Sequence, residues 1–247
     1  INLQHLSSLL NSKEKTLVSL MHINNEIGNI SPIKLIADLC KINNAYFHSD
    51  TVQSLAYFNI DVKELGVDFL SCSAHKFHGP KGIGFLFAKK SLNVKSFIVG
   101  GSQERGLRGG TENISGIIGL NKALKQAKKS QTKIISHLKD LKHYLIQKLD
   151  VIKVDYTKNG DWDNSSPAIA NLSFKTEKDV SMLLFNMDLA GIAISGGSAC
   201  TSGSNKGSHV LMELGVAMNH PAIRISFSKY TQRKDIDKFI SVVTKLI

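Results

Sequence analysis

The segment 73–76, Ser-Ala-His-Lys, places an amine, a hydroxyl and an imidazole within four residues. The apolar run 67–70 precedes it and a Gly-Pro pair soon follows, a pattern typical of a buried strand that ends in a tight turn. The Lys76 amine could form a Schiff base with an aldehyde, and Ser73 and His75 could donate hydrogen bonds to a phosphate. The segment therefore predicts a site for a phosphorylated aldehyde cofactor. The alternative is a solvated lysine in an ordinary strand-to-loop connection.

A carboxylate stands at the end of another predicted strand. Asp50 lies in the segment 48–53, His-Ser-Asp-Thr-Val-Gln. A carboxylate beside the nitrogen of a pyridine ring raises the pKa of that nitrogen, and the protonated ring then withdraws electrons. Gln53 could donate a hydrogen bond to the phenolic oxygen of the same ring. The segment fits a pyridine cofactor, and the alternative is that Asp50 caps the next helix.

Three further polar residues could bind a cofactor or a substrate. Asn25 follows a predicted strand and offers its amide to a cofactor ring or a substrate carboxylate, although it could be a plain turn asparagine. Thr111 closes the glycine-rich loop 100–110 and offers a hydroxyl to a phosphate. Arg224 lies within an apolar strand and needs an anionic partner. That partner could be the carboxylate of an amino acid or a structural ion pair.

The three cysteines differ in their surroundings. Cys200 stands among Gly, Ser, Ala and Thr in the segment 196–204, which predicts a mobile loop that carries a thiolate to a substrate. The alternative is a simple surface-loop cysteine. Cys40 and Cys72 lie in apolar segments and are predicted to be core residues. No CxxC pair is present, so we expect no zinc or iron–sulfur ligation, and the sparse set fits a reducing cytosol.

The order of apolar segments predicts an α/β fold with a mostly parallel sheet, in which ligands sit beyond the carboxyl ends of the strands. One long helix is expected to connect a large domain, 1–130, to a smaller α+β domain, 131–247, that carries the Cys200 loop. Ser31 is the expected N-cap of the first helix, with Pro32 at its first position. The predicted strands are 16–23, 45–48, 67–71, 84–88, 168–174, 193–195 and 222–227, and the predicted helices are 32–43, 113–149, 178–187, 208–214 and 232–247.

The formal net charge is +11, which favours acidic or phosphorylated partners. Eight of the lysines fall between positions 122 and 148, where apolar residues recur at helical spacing. Most of these lysines are therefore expected on the solvated face of an amphipathic helix. Direct nucleic-acid binding is not expected, and no apolar run reaches the length of a membrane span.

Taken together, these motifs make the chain resemble the cysteine desulfurases of the class V aminotransferase family, the NifS/IscS-like group. The motifs occur in the order of that family and span nearly the whole chain. The long interval between Cys200 and Arg224 is similar to the desulfurase group with an extended cysteine loop. The matching segments are 24–28, 48–53, 73–76 with 79–82, 108–111, 198–202 and 224–226.

The resemblance implies a pyridoxal 5′-phosphate-dependent transferase of fold type I, and it implies a role for each motif residue. Lys76 would hold the cofactor covalently and move protons at the substrate α-carbon. The Cys200 thiolate would attack the sulfur of L-cysteine, which leaves alanine and a persulfide. The other implied roles are the pyridine nitrogen for Asp50, the ring oxygen for Gln53, the phosphate for Ser73, His75 and, from the neighbouring subunit of a homodimer, Thr111, and the substrate carboxylate for Asn25 and Arg224.

The resemblance also implies partners and a departure. The persulfide sulfur would pass to an acceptor, either an iron–sulfur scaffold, a tRNA-thiolation protein or a biosynthetic sulfur carrier, in the cytoplasm. Family members carry a further amino-terminal segment, with a phosphate-binding turn and a ring-stacking histidine, before the position of Ile1. We therefore expect a partial large domain, and weak or no activity from residues 1–247 alone. The alternatives are a selenocysteine lyase and a non-catalytic remnant that serves as an interaction module.

Overall fold

Two sheets, each within its own unit of the chain, organise the protein. The computed structural model describes residues 1–12, 14–176, 182–196, 208–217 and 220–247. One unit comprises residues 1–22 and 31–131, and the other comprises residues 23–30 and 132–247. The short segment 23–30 thus belongs to the second unit, although the chain on both sides of it belongs to the first.

The sheet of the first unit has four strands in the order β1-β2-β3-β4. The first three strands are parallel and β4 is antiparallel to β3, which confirms the mostly parallel sheet. Three short helices belong to the same unit, as does a longer helix over Ile114–Lys129. The strands are β1 (Leu17–Met21), β2 (Tyr46–Asp50), β3 (Phe69–Ser73) and β4 (Gly84–Ala88), and the helices are α1 (Leu3–Leu10), α2 (Ile33–Ile42) and α3 (Val62–Leu65).

The two faces of this sheet differ. One face supplies Phe47 and Leu70 to an apolar core that also contains Ile36 of α2. The opposite face carries a polar row across three strands: Ser19 Oγ lies 2.7 Å from His48 Nδ1, and His48 Nε2 lies 3.1 Å from Ser71 Oγ. Because side chains alternate along a strand, the apolar core fixes the register that puts this row on the other face.

Two helix predictions in this unit need correction. Ser31 is not a side-chain cap, because α2 begins one residue later than expected, with Pro32 at the N-cap position and no side-chain cap hydrogen bond. The expected long helix is two helices, α4 (Ile114–Lys129) and α5 (Gln131–Val151), interrupted at Ser130. The Lys128 ammonium donates to the Phe58 carbonyl, and Gln131 donates to the Ala56 carbonyl. These long-range bonds hold the junction, and helical periodicity does not encode them.

The sheet of the second unit is antiparallel, in the order β5-β6-β7. Every residue of β6 is buried. The strand predicted at 193–195 is wrong, since Ser195 forms only an isolated bridge with Arg224. The strands are β5 (Tyr156–Lys158), β6 (Ile169–Phe174) and β7 (Ala222–Ser226), and the helices with α5 are α6 (Leu183–Leu189), α7 (His209–Glu213) and α8 (Arg233–Leu246).

The helical spacing of apolar residues predicts a buried stripe of Ile134 and four leucines along α5. Ile134 is half-buried, and the four leucines are buried: Leu138, Leu141, Leu145 and Leu149. The predicted helix at 178–187 lies partly outside the described residues, and its described part begins at Leu183. Among the residues that the structure describes, no helix combines the length and apolarity needed to cross a membrane.

One lysine of α5 departs from the expected solvated face. Lys142 is only 9% exposed, and its ammonium donates to Ser165 Oγ at 2.8 Å and to the Ser166 carbonyl at 3.2 Å. The same nitrogen lies 4.4 Å from the centre of the Trp162 ring. Burial, with a smaller contribution from the charge of Lys158, lowers the pKa of Lys142 to about 8.

This buried lysine makes stability depend on pH. Between pH 8 and pH 10 the folded state loses the Lys142 proton, whereas the unfolded chain keeps it up to about pH 10.4. The unfolded state therefore binds more protons, and the free energy of unfolding rises with pH in this window. We expect wild type to gain on the order of 2 kcal/mol relative to Lys142→Met between pH 7 and pH 10, measured by urea unfolding. The exposed control Lys139→Met should run parallel to wild type; a parallel Lys142→Met curve would contradict the assignment.

Candidate functional site

Lys76 is presented to solvent by a short turn whose neighbours are anchored in the core. Strand β3 ends at Ser73, and a single 3₁₀ turn over Ala74–Phe77 follows. Ala74 is 0% exposed and Phe77 3%, while Lys76 between them is exposed. The Gly79 N–H donates to the Ala74 carbonyl, and a Cβ at Gly79 would lie 2.8 Å from the Ala74 Cβ. Glycine is therefore required for the turn to close against Ala74.

A hydroxyl and an imidazole meet beside this lysine. Ser73 Oγ lies 2.8 Å from His75 Nδ1. Among the residues that the structure describes, Lys76 forms no salt bridge. The turn thus offers an amine without an anionic partner next to two groups that can donate to a phosphate.

Asp50 lies at the carboxyl end of the neighbouring strand. It pairs in register with Ser71 of β3, and the Thr51 amide and hydroxyl both donate to the Ser71 carbonyl, at 3.0 and 2.9 Å. The Val52 N–H donates to Asp50 Oδ1 at 2.8 Å, which fixes the carboxylate in a local turn. Asp61, not Asp50, caps the next helix along the chain, so the alternative of a helix cap is wrong.

The remaining two predicted cofactor residues of this unit lie in loops. Gln53 is half-buried in the turn that follows β2, three residues beyond Asp50. Thr111 is exposed in the connection that leads to α4. The structure brings Asp50 and the Ser73–Lys76 turn to the ends of adjacent strands. Thr111 forms no hydrogen bond with Ser73 or His75.

A buried histidine, His22, adjoins Asp50. The backbone N–H of His22 donates to the Asp50 carbonyl at 2.9 Å, and its ring lies 5.3 Å from the Phe58 ring. Burial lowers the pKa of the His22 imidazole. Its buried Nδ1 atom has no hydrogen-bond partner among the described residues.

The second unit brings together the two residues predicted to hold a substrate carboxylate. Arg224 Nη1 donates to the Asn25 carbonyl at 3.0 Å, and Arg224 Nη2 donates to Ser195 Oγ at 3.2 Å. The contact uses the backbone of Asn25, so the Asn25 amide is not the group that Arg224 binds. Arg224 is half-buried on β7, where the guanidinium can be held in one orientation.

Cys200 lies outside the described residues, as do the other residues of 197–207. The described chain reaches Gly196 on one side of that segment and resumes at Ser208 on the other. Ser208 is the N-cap of α7, and its hydroxyl accepts from the Leu211 N–H at 3.2 Å.

The other two cysteines are core residues, as predicted. Cys40 is 1% exposed and Cys72 is 6% exposed. Burial raises the pKa of each thiol to about 11, with smaller contributions from the charge of Asp68 at Cys40 and of Asp50 at Cys72.

Both thiols should therefore resist alkylation in the native protein. Iodoacetamide reacts with the thiolate, and at pH 8 a thiol with a pKa of about 11 is roughly one-thousandth ionised. We expect peptide mapping after a short exposure at pH 8 to find Cys40 and Cys72 unmodified, and both modified after unfolding in urea. Modification of either at the same rate before and after unfolding would show that its burial does not protect it.

The donor set of the first unit fits a phosphorylated pyridine aldehyde. The exposed amine of Lys76 suits the aldehyde, the Ser73–His75 pair suits the phosphate, and the Asp50 carboxylate suits a ring nitrogen. Asp50 Oδ2 accepts no hydrogen bond from any residue that the structure describes, so this oxygen is available to the nitrogen.

Comparisons with known proteins agree with this chemistry. The sequence pattern described as "Aminotransferase class-V" matches residues 1–239. A protein of Dictyoglomus turgidum named "Cysteine desulfurase IscS" is 41% identical over 237 residues, which cover 95% of this chain and 60% of that protein. The chain spans about three fifths of the length of the curated relatives it matches.

Solved structures show the same fold. The NifS-like protein from Rickettsia africae is 30% identical and superposes with a TM-score of 0.90, over 100% of this chain and 66% of that one. A structure described as "SspA in complex with cysteine" is 31% identical with a TM-score of 0.75, over 94% of this chain and 64% of that one. The α/β fold expected from the motifs is thereby confirmed. The chain belongs to the aminotransferase class V family, among relatives named cysteine desulfurase and NifS-like.

Proposed function

We propose that this chain contributes the catalytic residues of a pyridoxal 5′-phosphate-dependent cysteine desulfurase. The observation that carries the proposal is the placement of the Lys76 amine and the Ser73–His75 pair at the end of β3, beside Asp50 at the end of β2. The relatives named "Cysteine desulfurase IscS" point to the same reaction class.

Each predicted site residue that the first unit contributes near the ends of β2 and β3 has a defined task in this proposal. Lys76 attaches the cofactor and transfers protons at the substrate α-carbon, because its amine is exposed on an anchored turn. Asp50 holds the proton on the pyridine nitrogen, and Gln53 donates to the ring oxygen. Ser73 and His75 bind the phosphate. Bound pyridoxal phosphate supplies an electron sink that stabilises negative charge on the substrate carbons.

The second unit holds the substrate. Arg224 presents its guanidinium beside the Asn25 backbone, and a carboxylate that joined this pair would accept hydrogen bonds from Arg224 and from the Asn25 amide. The Cys200 thiolate then attacks the sulfur of L-cysteine. A sulfur–sulfur bond forms as the carbon–sulfur bond breaks, the electron pair stays with the carbon, and a proton added there completes alanine.

The proposal extends to partners. The persulfide on Cys200 passes its sulfur to an acceptor protein, an iron–sulfur scaffold or a tRNA-thiolation protein. The protein forms a homodimer in which Thr111 reaches the phosphate bound by the neighbouring subunit, consistent with its exposed position. The unpaired thiols of Cys40 and Cys72 support a reducing, cytoplasmic setting.

The reaction is tested by its stoichiometry. Protein loaded with pyridoxal phosphate is mixed with L-cysteine without added reductant, and alanine and protein-bound sulfane sulfur are counted. We expect equal amounts of both. Alanine without bound sulfur would contradict the role of Cys200, and a strong preference for selenocysteine would favour a selenocysteine lyase. The assay is repeated on a form with the full length of the curated relatives, of which this chain spans about three fifths.

A further inference from the structure

Arg224 links the turn 24–28 to the flank that precedes the Cys200-bearing segment 197–207. Ser195 forms a two-way backbone bridge with Arg224, at 3.3 and 2.6 Å, and Arg224 Nη2 also donates to Ser195 Oγ. Arg224 Nη1 in turn donates to the Asn25 carbonyl. Arg224 therefore joins the last described stretch before the segment to Asn25.

The same turn contacts the flank that follows the segment. Ser208 Oγ donates to Glu26 Oε2 at 2.6 Å. Glu26 is 2% exposed and Ser208 is 7% exposed, so water does not compete for this bond. Short hydrogen bonds to a buried carboxyl group are among the stronger ones in proteins, and leaving such a group unpaired is costly.

Glu26 is itself held firmly on the backbone side. Asn24 Oδ1 accepts from the Glu26 N–H at 2.9 Å, and Asn171 Nδ2 donates to the Glu26 carbonyl at 3.1 Å. Buried Asn159 Nδ2 donates to Asn171 Oδ1 at 2.8 Å, which fixes the orientation of that amide. The backbone of Glu26 is therefore held in place while its carboxyl group accepts from Ser208.

We propose that Glu26 is a positioning residue that fastens the Ser208 end of the Cys200-bearing segment to the turn that carries Asn25. With Arg224 at the other end, both flanks of the segment are tied to two consecutive residues, Asn25 and Glu26. We call the Glu26–Ser208 hydrogen bond the tie. Its effect on sulfur transfer rests on the proposed function.

If Ser208 served only to cap α7, removing the Glu26 carboxyl group would have no effect on the segment 197–207. The Ser208 hydroxyl also caps α7 by accepting from Leu211. Ser208→Ala removes both contacts, whereas Glu26→Ala removes only the tie. Glu26→Gln keeps an oxygen that can accept from Ser208, so it should restore the contact.

The first test does not depend on any reaction. Trypsin can cut after Lys206 only if the residues that follow the scissile bond, including Ser208, enter the protease. Cleavage therefore follows the fraction of molecules in which the Glu26–Ser208 contact is open. We expect Glu26→Ala to raise the cleavage rate at this bond about fivefold to tenfold in the cofactor-loaded protein, and Glu26→Gln to stay within about twofold of wild type.

Two controls distinguish loss of the Glu26–Ser208 hydrogen bond from a general destabilisation of the second unit. Glu213→Ala removes an exposed carboxylate on α7 and should leave the cleavage rate unchanged. The double variant Glu26→Ala/Ser208→Ala should be cut little faster than Ser208→Ala, because Ser208→Ala already lacks the hydroxyl that donates to Glu26. Fully additive effects, or an unchanged rate in Glu26→Ala, would overturn the proposal.

The second test concerns sulfur transfer. Glu26→Ala should slow persulfide formation on Cys200 in a single turnover about tenfold and leave the KM for L-cysteine within about threefold of wild type. An increase of KM alone would instead assign Glu26 to substrate binding and overturn its positioning role. If wild type forms no persulfide at all, the proposed function fails, and the cleavage rates still decide the tie.

Discussion

Lys76→Ala should fold normally and lose covalently held pyridoxal phosphate. Lys76 is exposed on a turn that Ala74 and Phe77 anchor, so removing its side chain leaves the core intact. The cofactor aldehyde then has no amine in reach of the phosphate donors Ser73 and His75. We expect alanine formation to fall on the order of a thousandfold or more. Visible absorption before and after borohydride reduction, followed by peptide mapping, measures the attachment.

Lys81→Ala is the matched control, because Lys81 is an exposed lysine only five positions further along the chain. That variant should keep the cofactor band and the borohydride-fixed peptide. If Lys76→Ala still carried cofactor after borohydride reduction, another lysine would be the attachment point, and the role given to the β3 turn would be wrong.

Cys200→Ser should separate cofactor binding from sulfur transfer. Serine keeps the size of the side chain but replaces the thiolate with a hydroxyl, which is un-ionised near neutral pH and a poor nucleophile towards sulfur. We expect the absorption spectrum of the cofactor attached to Lys76 to be unchanged. Alanine formation should fall on the order of a thousandfold or more. Alanine released per protein per minute is the measured quantity.

The buried thiols provide the control for this variant. Cys40→Ala removes a thiol from the core of the first unit, at a modest cost in stability, and should retain turnover. Turnover by Cys200→Ser close to that of wild type would show that sulfur leaves without a protein nucleophile at this position.

Local sequence patterns predicted all four strands of the first unit. The strand predicted at 84–88 matches β4, and the strand ends that place Asp50 and Lys76 follow from apolar runs that stop at polar residues. Alternation along β2 follows the rule that one face packs against a core. Strand β5 was missed because three residues are too short for any periodic pattern to stand out.

Two features could not be predicted from local sequence patterns, because they depend on contacts between residues far apart in the chain. They are the break between α4 and α5 at Ser130 and the packing of segment 23–30 with the second unit. In the second unit the Asn171 amide reaches the Glu26 carbonyl across 145 positions, and Ser208 reaches the Glu26 carboxyl group across 182. Glu26 looked like a turn residue within a motif. The burial of Glu26 and its hydrogen bond to Ser208 show that the carboxyl group has a structural partner, and nothing in the local sequence Asn24–Gly28 signals that partner.

The most direct measurement is the location of sulfur after one turnover. Protein loaded with pyridoxal phosphate is mixed with L-cysteine, alkylated at once without reductant, digested and mapped by mass spectrometry. We predict an extra sulfur atom on the peptide that contains Cys200, removed by later reduction, with Cys40 and Cys72 unmodified. Formation of alanine with no extra sulfur on Cys200, or with the sulfur on another cysteine, would contradict the account.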